Sequence, residues 1–166
     1  LKKNDEALKD LEKSIQLGPR NAKAHHSRGL LRAGHLGNLQ AALQDLDAAI
    51  ELDANNAQYL FNNASVRIRL GRFRGAMELL ERASQLGSSR DLNLLIRAAR
   101  ARTHFLLGNR TQAFRGVEDS LKTYPESGLL YDTRGEFLAR GAQTSLARTD
   151  LRRAAKLMGE SERPYL

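Results

Sequence analysis

The chain of 166 residues carries 27 Lys+Arg against 19 Asp+Glu, a formal net charge of +8, with 41% hydrophobic and 28% charged residues. That is too apolar for a disordered chain and long enough for a sizeable buried core. With no cysteine, a disulfide framework, a thiolate nucleophile and any Cys-based metal site are excluded; no apolar run approaches the roughly 18 residues of a membrane span, and the N-terminal stretch lacks the apolar segment of a signal peptide.

Apolar periodicity predicts helices over 4–17, 22–34, 38–52, 57–70, 73–86, 91–107, 110–123, 127–140 and 143–158. The first, with Leu8, Leu11, Ile15 and Leu17 on it, reads as a second helix without its partner, and an uncapped one. The chain is therefore expected to be a piece of a longer protein. The helices over 22–34 and 38–52 form a pair joined near Gly37, and the same arrangement recurs with Gly71, Gly108 and Gly141. Glycine tolerates the left-handed backbone that closes a helix, so each pair is expected to be an antiparallel hairpin. The last helix carries Arg148, Arg152, Arg153 and Lys156 among Leu151, Ala154 and Leu157, polar enough to serve as a cap.

A period underlies this order. Ala7, Ala42, Ala76, Ala113 and Ala147 are spaced by 35, 34, 37 and 34 residues. Four residues after each stands Leu11, Leu46, Leu80, Val117 or Leu151, and seven after each stands Ser14, Ala49, Ala83, Ser120 or Ala154. Those offsets share one helix face, small at both ends and larger between, which admits a close helical neighbour. On the preceding helix, Gly29, Ala64, Ala101 and Gly135 mark a second small position, and Pro19, Ala54 and Pro125 fall where the second helix must stop.

These residues resemble the tetratricopeptide repeat family, with Gly71-x4-Ala76-x3-Leu80-x2-Ala83 the best local match. The Gly–Ala spacing argues against pentatricopeptide repeats, the nearest confusable family. The resemblance implies an all-α fold: a tetratricopeptide-repeat-like superhelix, or α-solenoid, of stacked antiparallel helical hairpins. Its expected organisation is a half repeat over 1–21, repeats over 22–56, 57–90, 91–127 and 128–159, and a tail over 160–166. Two departures stand out. His25, Leu60, Arg97 and Tyr131 occupy the first-helix aromatic position, and extra residues fall around Gly34-His35-Leu36 and Ser88-Ser89-Arg90-Asp91, where the superhelix is expected to be locally altered.

The resemblance further implies that the first helix of each repeat lines a concave groove through its second, fifth, ninth and twelfth residues. Carried over, this selects Lys23, His26 and Leu30; Gln58, Phe61, Ser65 and Ile68; Leu95, Ala98, Arg102 and Phe105; and Leu129, Asp132, Glu136 and Ala139, with Asn62 and Arg69 on the edge. From these the expected ligand contacts are Lys23, His26, Gln58, Phe61, Asn62, Ser65, Arg69, Arg102, Phe105, Asp132 and Glu136. Arg69 and Arg102 would meet ligand acids, Phe61 and Phe105 would be apolar anchors if exposed rather than packed, and His26 and Asn62 would bond polar groups. The family's clamp for C-terminal carboxylates is not expected: only Asn62 sits at a clamp-like position, while His26, Leu30, Leu95 and Ala99 replace the residues it needs.

Charge is uneven. Residues 55–125 hold 12 basic and 5 acidic residues, whereas residues 1–54 are balanced at 8 each. Arg67, Arg69, Arg72, Arg74, Arg97, Arg100, Arg102 and Arg110 make an acidic peptide or another anion electrostatically plausible. Aromatic residues total only 5%, too few to stack nucleic-acid bases, so nucleic acid is not expected as a partner.

Catalytic chemistry is not apparent. The four histidines offer no His-x-x-x-His pair for zinc, Gly71-Arg-Phe-Arg-Gly75 lacks the Gly-Lys-Ser/Thr of a phosphate loop, and no nucleophile stands beside a base. The acidic pairs Asp45/Asp47 and Glu78/Glu81 read as solvated or as partners within their own helix. Asn63 and Asn109 match the glycosylation pattern. The expected function is thus a protein–protein interaction scaffold, not an enzyme, with no cofactor, no metal and no membrane insertion. It would bind a protein or peptide ligand, an acidic one included, in the concave groove, with self-association open through apolar solenoid ends. The alternative is an anion-binding helical-repeat segment of a bacterial polysaccharide export or secretion apparatus.

Overall fold

Small residues at offsets of 0 and 7 with a branched residue between them let two helix backbones approach, and the chain uses that face throughout. The computed structural model describes residues 2–34 and 37–159. Among these, every regular element is a helix: α1 (Lys2–Leu17), α2 (Ala22–Gly34), α3 (Leu39–Leu52), α4 (Ala57–Arg69), α5 (Phe73–Gln85), α6 (Arg90–Leu106), α7 (Arg110–Thr123), α8 (Gly128–Arg140) and α9 (Thr144–Met158). The most extensive packing is within the hairpins α2/α3, α4/α5, α6/α7 and α8/α9. The fold class is all-α helical repeat. Residues 35 and 36, in the first expected insertion, and the tail over 160–166 lie outside the described residues.

Helix starts are fixed by polar side chains placed ahead of each run. Asn38, Asn56, Ser89 and Ser127 accept hydrogen bonds from the backbone N–H groups of Ala41, Tyr59, Leu92 and Leu130, which satisfies donors that the first turn leaves open. The hairpin turns need a left-handed residue, and Gly37, Gly71 and Gly108 supply it with φ of 63°, 72° and 83°. The fourth turn departs from expectation. Gly141 has φ −91°, and the left-handed residue is Ala142, φ 60°. Ala142 stands five residues before Ala147, as the three glycines stand before their alanines, so the turn keeps its register and places the strain on an alanine.

The chain divides into two compact units, Leu1–Ser88 and Ser89–Leu166, at the second expected insertion. In the first unit α1 packs on α2 and α3 on α4, around a core of Ala33, Ala42, Leu43, Leu46 and Val66. Leu46, Leu60 and Leu80 are fully buried, each stabilising the unit by about 2 kcal/mol. In the second unit Ala98, Ala101, Ala113, Val117, Leu130 and Phe137 form the core. Ala42, Ala49, Ala76, Ala83, Ala113, Ser120, Ala147 and Ala154 are all buried, as the period requires. Leu151 differs from Leu46, Leu80 and Val117: it is 40% exposed, because no described helix follows α9 to cover it.

Candidate ligand-binding face

The first helices of neighbouring repeats touch within each unit, α2 against α4 in the first and α6 against α8 in the second. Some of the residues that the repeat register selects bond across these pairs: Asn62 to His26 and Arg69 to Ala33 between α4 and α2, and Arg102 to Asp132 and Glu136 between α6 and α8.

In the first unit the register brings three of them into one chain of hydrogen bonds. Gln58 Nε2 donates to Asn62 Oδ1 at 3.1 Å, and Asn62 Nδ2 donates to His26 Nε2 at 2.8 Å. His26 is buried and its ring lies 4.5 Å from that of Tyr59. Burial holds the imidazole pKa below its ordinary value, so the ring is kept neutral and able to accept. Burial also raises the Tyr59 hydroxyl, with Asp53 adding to the effect. The remaining residues do not join this chain. Ser65 bonds the Phe61 carbonyl at 2.9 Å on its own helix, Phe61 is half-buried, and Lys23 is exposed. The Arg69 side chain bonds the Ala33 carbonyl at 3.0 Å, where it satisfies the C-terminal end of α2.

In the second unit the register brings together a charged cluster. Arg102 Nη2 donates to Asp132 Oδ2 at 3.1 Å, and its Nε lies 3.4 Å from Glu136 Oε2. Glu136 also pairs with Arg140 at 2.9 Å. Arg102 thus already has two carboxylates, both supplied by the facing helix α8. Phe105 stacks on Phe137 with centroids 4.4 Å apart and planes at 3°, so it packs against the neighbouring hairpin. Its ring also carries Arg110 at 5.8 Å.

Leu30 and Leu95, at register positions on α2 and α6, are each 41% exposed. One lies in each unit, and Leu106, also on α6, is 39% exposed. Leu30 and Leu95 both stand at positions that the register selects, but an aliphatic side chain at such a position carries no charge or aromatic signal that separates it from a core leucine.

The reading of Asp45 and Asp47 as solvated or bonded within their own helix is corrected. Asp45 is 4% exposed and receives Arg28 Nη2 at 2.6 Å and Arg32 Nη1 at 2.8 Å, both from α2. Asp47 receives Arg67 Nη2 and Asn63 Nδ2 from α4, each at 2.8 Å. Asn63 is fully buried and so is closed to glycosylation. Several arginines of the basic middle are therefore engaged internally: Arg67, Arg69 and Arg102 as described, and Arg97 on Asn93 at 2.7 Å. Among the described residues no cluster of three or more His, Asp or Glu could hold a metal ion, and no helix is long and apolar enough to cross a membrane.

The family model described as tetratricopeptide repeat matches residues 22–56. No curated protein matches the chain significantly in sequence. Solved structures with a similar fold include MamA from Desulfovibrio magneticus RS-1, with TM-score 0.78 and 14% identity over 96% of this chain and 88% of that one. They also include PilF from Pseudomonas aeruginosa, with TM-score 0.79 and 19% identity over 96% and 71%. A third is the Cut9–Hcn1 hetero-tetramer of the APC/C, with TM-score 0.80 and 15% identity over 95% and 29%.

Proposed function

We propose that the chain, whose residues 22–56 match the tetratricopeptide repeat model and whose fold is shared by solved tetratricopeptide-type structures, is a protein–protein interaction scaffold that binds a peptide or protein segment along the faces lined by its first helices. The observation that carries the reading is the exposure of Leu30 on α2 and of Leu95 on α6, each 41%. Large apolar side chains left in solvent are candidate anchors for a partner, because buried apolar contacts dominate interface energetics. The Cut9–Hcn1 neighbour is itself part of a hetero-tetramer, a use of this fold consistent with partner binding.

An acidic ligand at Arg102 would have to displace Asp132 or Glu136, so the leucines rather than this arginine are the main source of affinity. The His26–Asn62–Gln58 chain offers polar groups for orientation. The alternative of charge-driven polyanion binding is weakened by the internal engagement of Arg67, Arg69, Arg97 and Arg102.

Affinity capture from the native lysate at about 50 and about 300 mM salt separates the two readings, since screening at the higher salt removes most surface electrostatics. A protein retained at both salts, and lost with the variant Leu30→Ser/Leu95→Ser, supports the apolar face. Retention of polyanions at low salt only, unchanged by that variant, supports the alternative.

A further inference from the structure

Arg28, Arg100 and Arg134 hold the same place in their hairpins, one residue before the small position at Gly29, Ala101 and Gly135. The position across from them on the second helix, three residues after the repeat alanine, holds Asp45, Gly116 and Asp150. In α2/α3, Arg28 Nη2 lies 2.6 Å from Asp45 Oδ1 and Nε lies 3.0 Å from Oδ2. In α8/α9, Arg134 Nε lies 2.6 Å from Asp150 Oδ2 and Nη2 lies 2.9 Å from Oδ1. Both are two-pronged guanidinium–carboxylate pairs on a buried carboxylate, the strong form of this interaction. The hairpin α4/α5 has neither partner, with Asn63 and Leu79 at the two positions.

The hairpin α6/α7 keeps the arginine and lacks the acid. Arg100 Nε is buried and has no hydrogen-bond partner, an arrangement that is unfavourable unless an acceptor arrives. Where the carboxylate stands in the other two hairpins there is a cleft of about 300 Å³, lined among others by Arg97, Arg100, Gln112, Arg115, Gly116 and Asp119. A Cβ placed on Gly116 would meet only the Ala101 methyl, at 3.8 Å, so the space is open. Three guanidinium groups line the cleft against one carboxylate, and that one, Asp119, is already paired with Lys122 at 2.8 Å.

We propose that this cleft binds a carboxylate supplied by a partner, an Asp or Glu side chain of an acidic peptide segment, seated on the Arg100 guanidinium where Asp45 and Asp150 sit on theirs. The planar two-oxygen geometry of the sister pairs favours a carboxylate, and Asp119 in the wall disfavours a doubly charged phosphate. The site lies on the seam between α6 and α7, apart from the face formed by α6 and α8, and does not depend on ligand binding there.

The test is titration of a short oligoglutamate peptide into the isotopically labelled full chain, following the Arg100 and Gly116 amides and the Arg100 Nε–H signal. Gly116→Asp supplies the missing acid from within, Gly116→Ala adds only the methyl, and Arg100→Gln removes the fork. The expected result is equal binding by the unmodified chain and Gly116→Ala, with a loss of about tenfold or more in Gly116→Asp and Arg100→Gln. Gly116→Asp should also unfold at higher denaturant than Gly116→Ala. Equal binding by Gly116→Asp, no binding by the unmodified chain at millimolar peptide, or tighter binding of inorganic phosphate than of oligoglutamate would each overturn the proposal.

Discussion

Asn62 Nδ2 and His26 Nε2 are 2.8 Å apart, a bond that joins α4 to α2 and so ties two successive repeats through their first helices. An amide N–H can only donate here, so the His26 nitrogen facing it must be the unprotonated one. Protonation would set two donors against each other in a buried site.

The consequence is a pH dependence of stability. Burial places the folded-state pKa of His26 below its ordinary value of 6.5, so the unfolded chain takes up the proton first. The contribution of the neutral ring is fully present above pH 6.5 and is lost as pH falls through the folded-state value. Urea midpoints measured at several pH values should fall on the acid side of neutrality for the unmodified chain. His26→Gln should show a shallower decline over the same interval, and an identical decline would remove His26 as the cause.

Asp45 holds two arginines and is itself buried. Asp45→Ala would leave Arg28 and Arg32 facing an emptied site, and should cost about 3 kcal/mol in chemical denaturation. Arg140→Ala breaks a more exposed pair within α8 and should cost less than about 0.5 kcal/mol. Similar effects of the two substitutions would contradict the burial of Asp45.

Ala142 carries a positive φ at the position where the other three turns have glycine. Because the left-handed region costs an alanine about 1 kcal/mol relative to glycine, Ala142→Gly should stabilise the chain by about 0.5–1 kcal/mol. The check is the denaturation midpoint, which should rise.

At Gly29, α3 packs closely on α2. An added Cβ would stand 2.8 Å from Leu46 Cγ and 3.1 Å from the Ala42 carbonyl oxygen, and backbone oxygen does not move aside easily. Gly29→Ala should therefore destabilise by about 1–3 kcal/mol. Gly34, with nothing within 4 Å of its added Cβ, should accept alanine with a gain of up to about 1 kcal/mol. Measuring both against the unmodified chain separates a packing requirement from helix propensity.

The elements themselves were legible. Predicted and observed helix ends agree to within one residue except at the start of α1, which begins at Lys2 rather than at residue 4. Glycines and capping Asn and Ser residues act within a few bonds of the backbone they terminate, so a local reading finds them. The partners of the arginines were harder to read. Arg28 and Asp45 are 17 residues apart and Arg102 and Asp132 are 30 apart, so a helix-by-helix reading leaves Asp45 to its own helix and shows no carboxylate for Arg102. Aligning the repeats on their alanines carries the signal that was missed, since it sets Asp45 and Asp150 opposite Arg28 and Arg134 and exposes the gap at Gly116.

The sequence by itself determined the helical period, the hairpin pairing and the identity of the packed face, because these follow from side-chain size at fixed offsets along one helix. Only the tertiary structure decided which polar groups already have partners. Hydrogen bonds and ion pairs form over distances of about 3 Å, and the separations that matter lie between helices. Those separations left Leu30 and Leu95 in solvent, gave Arg102 its two carboxylates, and left Arg100 facing a glycine.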